Sequence, residues 1–213
     1  MTGGLEIEDS VAGDAASTAK RRQIMDGARL AFLEQGFDAA SMGEIARRAG
    51  VSKGTLYVYF KSKEDLFEAI FEEESRGQVE RIFSLDPDDH NVESVLSMLG
   101  RAHVAYLCQP ERISPLRTIM SIVVRMPELG RRFYEAGPGT GIDKVRAYLD
   151  AQVAAGVLDI EDTEVAAAQL LDSFQSTAFK PMMFYNAAPP NDERVNHMVG
   201  IAVRTFLAAY KAR

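Results

Sequence analysis

Apolar residues recur along this chain every three or four positions, which is the spacing of one face of an α-helix. In the first such segment Ile24, Ala28 and Phe32 share a face, and the segment ends at Gly36. Glycine is common just after a helix C-terminus. Runs of alternating valine, isoleucine and threonine, the pattern of a half-buried strand, are scarce. The pattern therefore predicts an all-α protein.

Two short helices are predicted next, over residues 42–49 and 53–60. Ser41 and Glu44 have the S-x-x-E spacing of a capping box, and Ser52 opens the second helix. A tight turn that contains Gly50 joins them. Residues 41–60 thus fit the plan of a helix-turn-helix, in which the second helix enters the major groove of DNA.

The rest of the chain continues the helical pattern. Further helices are predicted over residues 63–84, 91–108, 110–124, 127–135, 142–154, 163–185 and 192–211. The glycine-rich stretch 137–141 breaks this pattern and is predicted to be a loop, and it lacks the residue order of a phosphate-binding motif. Residues 1–16 are small or acidic, do not look like a secretory leader, and are predicted to form a disordered tail.

Charge is distributed unevenly, and this changes the interpretation of the overall balance. The 213 residues carry a net charge of -7, which by itself argues against binding to DNA. Residues 17–63, however, carry nine bases and four acids, whereas residues 1–16 carry four acids and no bases. A basic face attached to an acidic body is typical of a protein with a localised anion-binding surface.

Several kinds of chemistry have no signature here. Cys108 is the only cysteine, and His90, His103 and His197 are scattered without ligand spacing, so we expect no disulfide, no metal and no cofactor. No apolar run approaches the ~20 residues that cross a bilayer, and the cytoplasm is the expected location. An enzyme remains an alternative although G-x-S-x-G and H-E-x-x-H are missing. An architectural DNA-binding protein without ligand control is another.

Residues 17–76 resemble the DNA-binding domain of the TetR family of bacterial transcriptional regulators. The resemblance is carried by residues 24–32, 36–37, 41–46, 49–60 (AGVSKGTLYVYF) and 62–66. Residues 125–134 also resemble the AefR-like branch of that family. Val58 stands where the family often has histidine or an aromatic residue, and Gly27 replaces a common alanine. The implied organisation is a tail over 1–16, a DNA-binding domain over 17–76, and a ligand-binding and dimerisation domain over 77–213.

The resemblance implies roles for individual side chains. Family members contact phosphates at the positions of Ser41, Ser52, Tyr57, Tyr59 and Lys63. They approach base edges at the positions of Lys53, Gly54 and Thr55. Further basic candidates for the DNA-binding face are Lys20, Arg21, Arg47, Arg48 and Lys61. Against this stands the ordinary alternative that exposed lysines merely form a solvated surface.

A single helix-turn-helix presents little surface, so two must act together on a pseudo-palindromic operator. The resemblance implies a homodimer in which the helices over 163–185 and 192–211 form a four-helix interface with their symmetry mates. The expected contributors to this interface are Ala166, Leu170, Phe174, Val203 and Leu207.

A cavity in the C-terminal domain is expected to bind a small-molecule effector. Its mostly apolar candidates are Met98, Leu107, Met120, Val124, Phe133 and Phe179, with Arg125 and His103 as polar anchors. Such a lining suggests an apolar or amphipathic ligand. The family's commoner arrangement implies a repressor that the effector releases from DNA.

Overall fold

The regular structure of this chain is helical. The computed structural model describes the backbone of residues 5–212 and the side chains of residues 17–73 and 77–212. In this part of the chain, β-type pairing amounts to one isolated antiparallel bridge between Leu158 and Lys211. None of the helices described is long and apolar enough to cross a membrane. The prediction of an all-α fold is confirmed.

The helices form two compact units that divide between Glu73 and Glu74. The sequence places this boundary three residues later, after residue 76. Unit 1 contains α1 (Leu5–Gln35), α2 (Met42–Arg48), α3 (Lys53–Tyr59) and the start of α4 (Lys63–Ile82).

Unit 2 contains the end of α4 and all the helices that follow. These are α5 (Val92–Leu107), α6 (Pro110–Ile122), α7 (Pro127–Tyr134), α8 (Thr140–Ala154), α9 (Thr163–Gln175), α10 (Phe179–Tyr185) and α11 (Asp192–Tyr210). A π-helical turn, Glu135–Gly139, connects α7 to α8.

Helix α1 begins at Leu5, so the backbone of residues 5–16 is helical where the sequence predicts disorder. This segment contains several alanines and no proline, and its acidic residues lie toward a helix N-terminus, where negative charge is favourable. Residues 1–4 of the predicted tail lie outside the described residues.

The loop predicted over residues 137–141 is also wrong. The π-helical turn and the start of α8 occupy this stretch without a break. Pro138 cannot donate a backbone hydrogen bond, but the Thr140 hydroxyl donates to the Glu135 carbonyl at 2.7 Å and so supplies a local bond. Glycine and proline therefore alter the helix type here instead of ending the helix.

The single helix predicted over residues 163–185 is instead two helices, α9 and α10, separated by residues 176–178. Pro181 explains the interruption, since a continuous helix would place it in the interior, whereas here it lies in the first turn of α10. Asn186 then ends α10 in the left-handed conformation, with φ of 58°.

The core of unit 1 joins α1 to the two short helices. Its fully buried side chains include Ile24, Met25, Ala28, Ile45, Leu56 and Leu66. Three aromatic rings, those of Phe32, Phe37 and Phe67, lie beside this core with centroids 5.3–5.7 Å apart. Burying one apolar side chain of this size stabilises a fold by about 1.5–3 kcal/mol.

The core of unit 2 is built largely where α5, α9 and α11 meet. Gly100 of α5 is buried, and a Cβ atom there would lie 2.7 Å from Cε1 of Phe174 and 2.8 Å from Cγ1 of Val199. The missing side chain thus allows α9 and α11 to pack against α5 at this level.

Gly27 makes a similar close approach in unit 1. A Cβ atom at Gly27 would lie 2.7 Å from the N, Cα and Cβ atoms of Ala49, the residue that follows α2. Beside this contact, the Gln23 amide donates to the Ala49 carbonyl at 2.6 Å. The close contact explains why glycine replaces alanine at this position.

Replacing Gly27 with alanine should destabilise the chain, because the new methyl group meets backbone that cannot rotate away. We expect Gly27→Ala to lower the free energy of unfolding by about 1–3 kcal/mol, measured by urea denaturation with circular dichroism. Gly77→Ala is the control, since its Cβ would lie 3.8 Å from the nearest atom, on Arg81. The control should gain about 0.5–1 kcal/mol from helix propensity. Equal stability of Gly27→Ala and the parent chain would contradict the assigned contact.

Candidate nucleic-acid interface

Serine hydroxyls fix the N-termini of the two short helices. Oγ of Ser41 accepts a hydrogen bond from the Glu44 amide at 3.2 Å. Oγ of Ser52 accepts from the Thr55 amide at 3.0 Å and lies 2.9 Å from the Thr55 hydroxyl. Both serines are exposed. They therefore cap α2 and α3 while remaining accessible from solvent.

Helix α3 is divided sharply into a buried and an exposed side. Leu56 is fully buried, and Phe60, just after the helix, is also buried. On the other side, Tyr57 and Val58 are 51% and 81% exposed. An outward-facing tyrosine and valine on so short a helix are not explained by packing within unit 1, so this face is open to a partner.

The predicted base-edge residues lie in the first turn of α3. Lys53 and Gly54 are exposed and Thr55 is half-buried. A Cβ atom at Gly54 would lie 3.7 Å from its nearest neighbour, Oγ of Ser52, so the backbone is accessible there. The Lys53 side chain passes close to Gly43 of α2, since its Cε would be 2.9 Å from a Cβ at that position.

Lys63, a predicted phosphate contact, is bonded within unit 1. Its ammonium group donates to the carbonyls of Phe37, Asp38 and Ala40 at 2.9, 3.0 and 3.4 Å. It also lies 4.6 Å from the centroid of the Phe37 ring. The ammonium group therefore holds the connection between α1 and α2 in place, while the predicted phosphate contact stays a prediction.

Arg48 is likewise engaged within unit 1. Its guanidinium contacts Glu34 of α1 and Glu44 of α2 at 2.7 Å each, and the side chain is only 18% exposed. Arg48 thus links these helices, and its predicted contribution to the DNA-binding face stays a prediction. Spacing along the sequence could not show this, because Glu34 lies fourteen positions before Arg48.

Arg47 shares one of these partners but remains on the surface. It forms two hydrogen bonds to the Glu44 carboxylate, at 2.7 and 2.9 Å, with 71% of its side chain exposed. Hydrogen bonds from Arg47 and then Arg48 hold the pKa of Glu44 at about 2. Because Glu44 stays ionised, it neutralises part of the positive charge of α2.

The other basic candidates are placed near the surface. Lys20 is half-buried and donates to the Gln23 side chain at 2.9 Å. Arg21 is exposed and lies 5.1 Å from the Phe60 ring centroid. Lys61 is exposed, while Tyr59 is half-buried against the core of unit 1. Lys20, Arg21 and Lys61 remain predicted contributors to a positive field, and Tyr59 is more a packing residue than a surface group.

Sequence reasoning missed Gln23, which braces α1 against the residue that ends α2. A polar residue on a helix surface gives no periodic signal, so its bond to the Ala49 carbonyl could not be anticipated. Ala49 thus has two contacts with α1, the hydrogen bond from Gln23 and the close approach of Gly27. The two contacts together fix where the turn before α3 begins.

The candidates for the effector cavity divide into two groups. Met98, Met120 and Val124 are 56%, 65% and 88% exposed, and Arg125 is also exposed. These four are wrong as lining of an interior cavity in this chain. The inward faces of α5 and α6 are instead provided by other apolar residues: Val95, Leu96, Leu99, Ile113, Ile119 and Ile122.

The second group lies inside unit 2. Leu107, Phe133 and Phe179 are half-buried. Both ring nitrogens of His103 are buried and have no hydrogen-bond partner. Burial also lowers the pKa of His103 to about 4, so that the ring is neutral near pH 7.

The residues predicted for the dimer interface lie mostly in the chain's own core. Ala166, Leu170, Phe174 and Val203 are at most 2% exposed, and Leu207 is half-buried. The first four are therefore wrong as interface contacts. Helical periodicity selected the more apolar face of each helix, which is the face that packs inward.

The outward faces of the last long helices also carry apolar groups. Val165 of α9 and Ile201 of α11 are 48% and 46% exposed.

Within the described residues, no group of three His, Cys, Asp or Glu side chains could hold a metal ion.

Comparison with known families extends over most of the chain. Residues 24–70 match the family of bacterial regulatory proteins called tetR. Residues 94–212 match the C-terminal domain of AefR-like transcriptional repressors. The fatty acid metabolism regulator protein of Bacillus subtilis strain 168 is 40% identical over 88 residues, which are 41% of this chain and 45% of that protein. The chain thus spans less than half the length of this curated relative.

Two solved structures are similar over nearly their whole length. A tetR-family transcriptional regulator from Mesorhizobium loti is 29% identical, with a TM-score of 0.84 over 92% of this chain and 98% of that one. The flavonoid-responsive regulator FrrA is 30% identical, with a TM-score of 0.77 over 92% of this chain and 99% of that one. The architecture of both units is therefore shared with transcriptional regulators.

The two lysines of the candidate interface should behave differently when replaced. We expect Lys53→Ala to weaken DNA binding by about 1–3 kcal/mol, measured by fluorescence anisotropy, with unchanged thermal stability. Lys63→Ala should leave three carbonyls without their charged donor and lower the free energy of unfolding by about 1.5–3 kcal/mol. Under conditions where it stays folded, its DNA affinity should be retained. The opposite pattern, a stable Lys63→Ala that cannot bind DNA, would support the predicted phosphate contact.

Proposed function

The chain belongs to the TetR family of bacterial regulatory proteins, and we propose that it is a homodimeric repressor that a small apolar or amphipathic molecule releases from its operator. As a family member it is a DNA-binding transcriptional regulator. The observation that carries the proposal is the exposed side of α3. Lys53, Gly54 and Tyr57 face solvent on this helix, which Ser52 caps at its N-terminus.

In the proposed complex the first turn of α3 enters the major groove. Lys53 and Thr55 approach base edges, and Gly54 lets the backbone come close to the DNA. Ser41, Ser52 and Tyr57 contact phosphates and set the register. Lys63 and Arg48 act indirectly, since their bonds hold α1 and α2 in the arrangement that presents α3.

Binding to a specific operator requires two such heads. Recognition helices of helix-turn-helix dimers contact half-sites about 34–36 Å apart. We place the dimer contact on the outward faces of α9 and α11, at Val165, Ile201 and the half-buried Leu207. Isologous packing of these faces would bring the same residues together from both protomers.

The effector is proposed to bind inside unit 2. Two relatives support an apolar or amphipathic molecule: FrrA is flavonoid-responsive by name, and the Bacillus subtilis protein is named for fatty acid metabolism. Release from DNA requires the effector to bind better to a conformation with unsuitable spacing of the heads. A tenfold preference corresponds to about 1.4 kcal/mol, so a few well-placed contacts suffice.

Titration against duplex DNA from upstream of the chain's own gene tests the repressor proposal. We expect tight binding to this duplex, weak binding to a scrambled one, and a steep loss of affinity with salt because lysines displace counterions. The double variant Lys53→Ala, Tyr57→Ala should abolish the preference. Failure to bind any member of a random duplex library would reject the proposal and favour the enzyme alternative.

Sedimentation velocity tests the dimer contact. We expect Ile201→Glu to yield folded monomers, because the new charges would meet across the symmetry axis without solvation. Leu33→Glu is the control, since Leu33 is 74% exposed on unit 1 and should leave the dimer intact. Phe174→Glu should instead unfold unit 2, as this ring is fully buried. Intact dimers of Ile201→Glu at micromolar concentration would place the interface elsewhere.

A further inference from the structure

We propose that unit 2 binds a neutral ligand that carries hydroxyl groups on an apolar body, and that His103 and Gln175 bind those hydroxyls. This inference rests on the proposed effector site and specifies its chemistry. It starts from two side chains whose buried polar atoms have nothing to bond with in the folded chain.

The unpaired atoms are both nitrogens of the His103 ring and Oε1 of Gln175. Buried polar groups are nearly always hydrogen-bonded, since leaving one unpaired costs its full solvation free energy. Two such side chains in one unit therefore need an explanation. A bound molecule that supplies the missing hydrogen bonds is one of the few that fits.

His103 and Gln175 belong to helices that pack together, α5 and α9. The Phe174 ring, next to Gln175 in sequence, approaches Gly100, which is three residues before His103. The Gln175 amide nitrogen donates to Asp172 at 3.1 Å, and the negative charge of Asp172 acts on the pKa of the His103 ring. The free oxygen of Gln175 and the imidazole are therefore in the same region of unit 2.

The donor and acceptor pattern of these atoms indicates what can bind. A neutral imidazole offers one N–H donor and one acceptor nitrogen, and Oε1 of Gln175 offers an acceptor. A hydroxyl group both donates and accepts, so hydroxyls can satisfy all three atoms. A carboxylate only accepts, so it would leave two acceptors unpaired and would stand near the negative charge of Asp172.

An apolar body for the ligand follows from the surroundings of His103. The His103 and Phe83 rings pack in a T-shaped arrangement, with centroids 5.9 Å apart and planes at 69°. Phe83 and Phe174 both belong to the buried apolar cluster of unit 2. A few polar groups within an apolar lining are the usual composition of a small-molecule site.

Isothermal titration calorimetry of the full-length chain without DNA tests the ligand class. The probes are apigenin, resveratrol and estradiol, each beside its fully O-methylated analogue, with palmitate as the anionic probe. At least one hydroxylated probe should bind ten times more tightly than its methylated analogue and than palmitate. Tighter binding of palmitate, or no binding of any hydroxylated probe, would overturn the inference.

Variants separate a ligand-binding histidine from a structural one. His103→Phe should lower the affinity of the hydroxylated probe at least tenfold and leave the unliganded chain equally or more thermostable, because the unpaired nitrogens are gone. Gln175→Met should act in the same direction. His103→Asn keeps a donor and an acceptor and should retain more affinity than His103→Phe. His197→Phe is the control, because His197 is exposed on α11.

One outcome would assign His103 to internal structure. If His103→Phe lowers the melting temperature and leaves probe affinity unchanged, internal water serves the imidazole and the inference is wrong. Failure of the proposed repressor function is distinguishable, because probe binding is measured without DNA. A chain that binds hydroxylated probes but no operator would lose the repressor proposal and keep this inference.

Discussion

The position of the DNA-binding helix depends on the contact between α1 and the end of α2. Gly27 meets the backbone of Ala49 so closely that no side-chain carbon fits between them, and Gln23 donates to the carbonyl of the same residue. Because interiors are close-packed, such a contact tolerates little displacement. The turn that follows Ala49 is thereby fixed, and with it the direction in which α3 leaves.

The basic residues of unit 1 serve two purposes that their chemistry alone does not distinguish. Lys63 and Arg48 are bound to carbonyls and carboxylates of the chain itself, so their charges stabilise the head. Lys53 and Lys61 remain exposed, and in the proposed complex they supply the positive field that attracts a phosphate backbone. We therefore expect the loss of Lys63 or Arg48 to affect folding, and the loss of Lys53 or Lys61 to affect DNA binding.

Unit 2 has a well-packed apolar core together with polar atoms that the core does not satisfy. Gly100 allows α9 and α11 to approach α5 closely, and Phe174 fills the space that results. Near this tight packing, His103 and Gln175 hold buried atoms without partners. Buried polar atoms without partners lower the stability of the unliganded fold. They are common at ligand-binding sites, because the ligand supplies the missing hydrogen bonds.

The sequence by itself determined the all-α class, the helix-turn-helix at residues 41–60 and the resemblance to a family, because these follow from short-range periodicity, capping and a dense local motif. It did not determine which apolar residues face inward: Phe174 and Val203 proved to be core, while Met120 and Val124 proved to be surface. Nor could it show that Lys63 bonds to carbonyls some twenty-five residues away. Such assignments depend on contacts between distant segments, and only the tertiary structure brings those segments together.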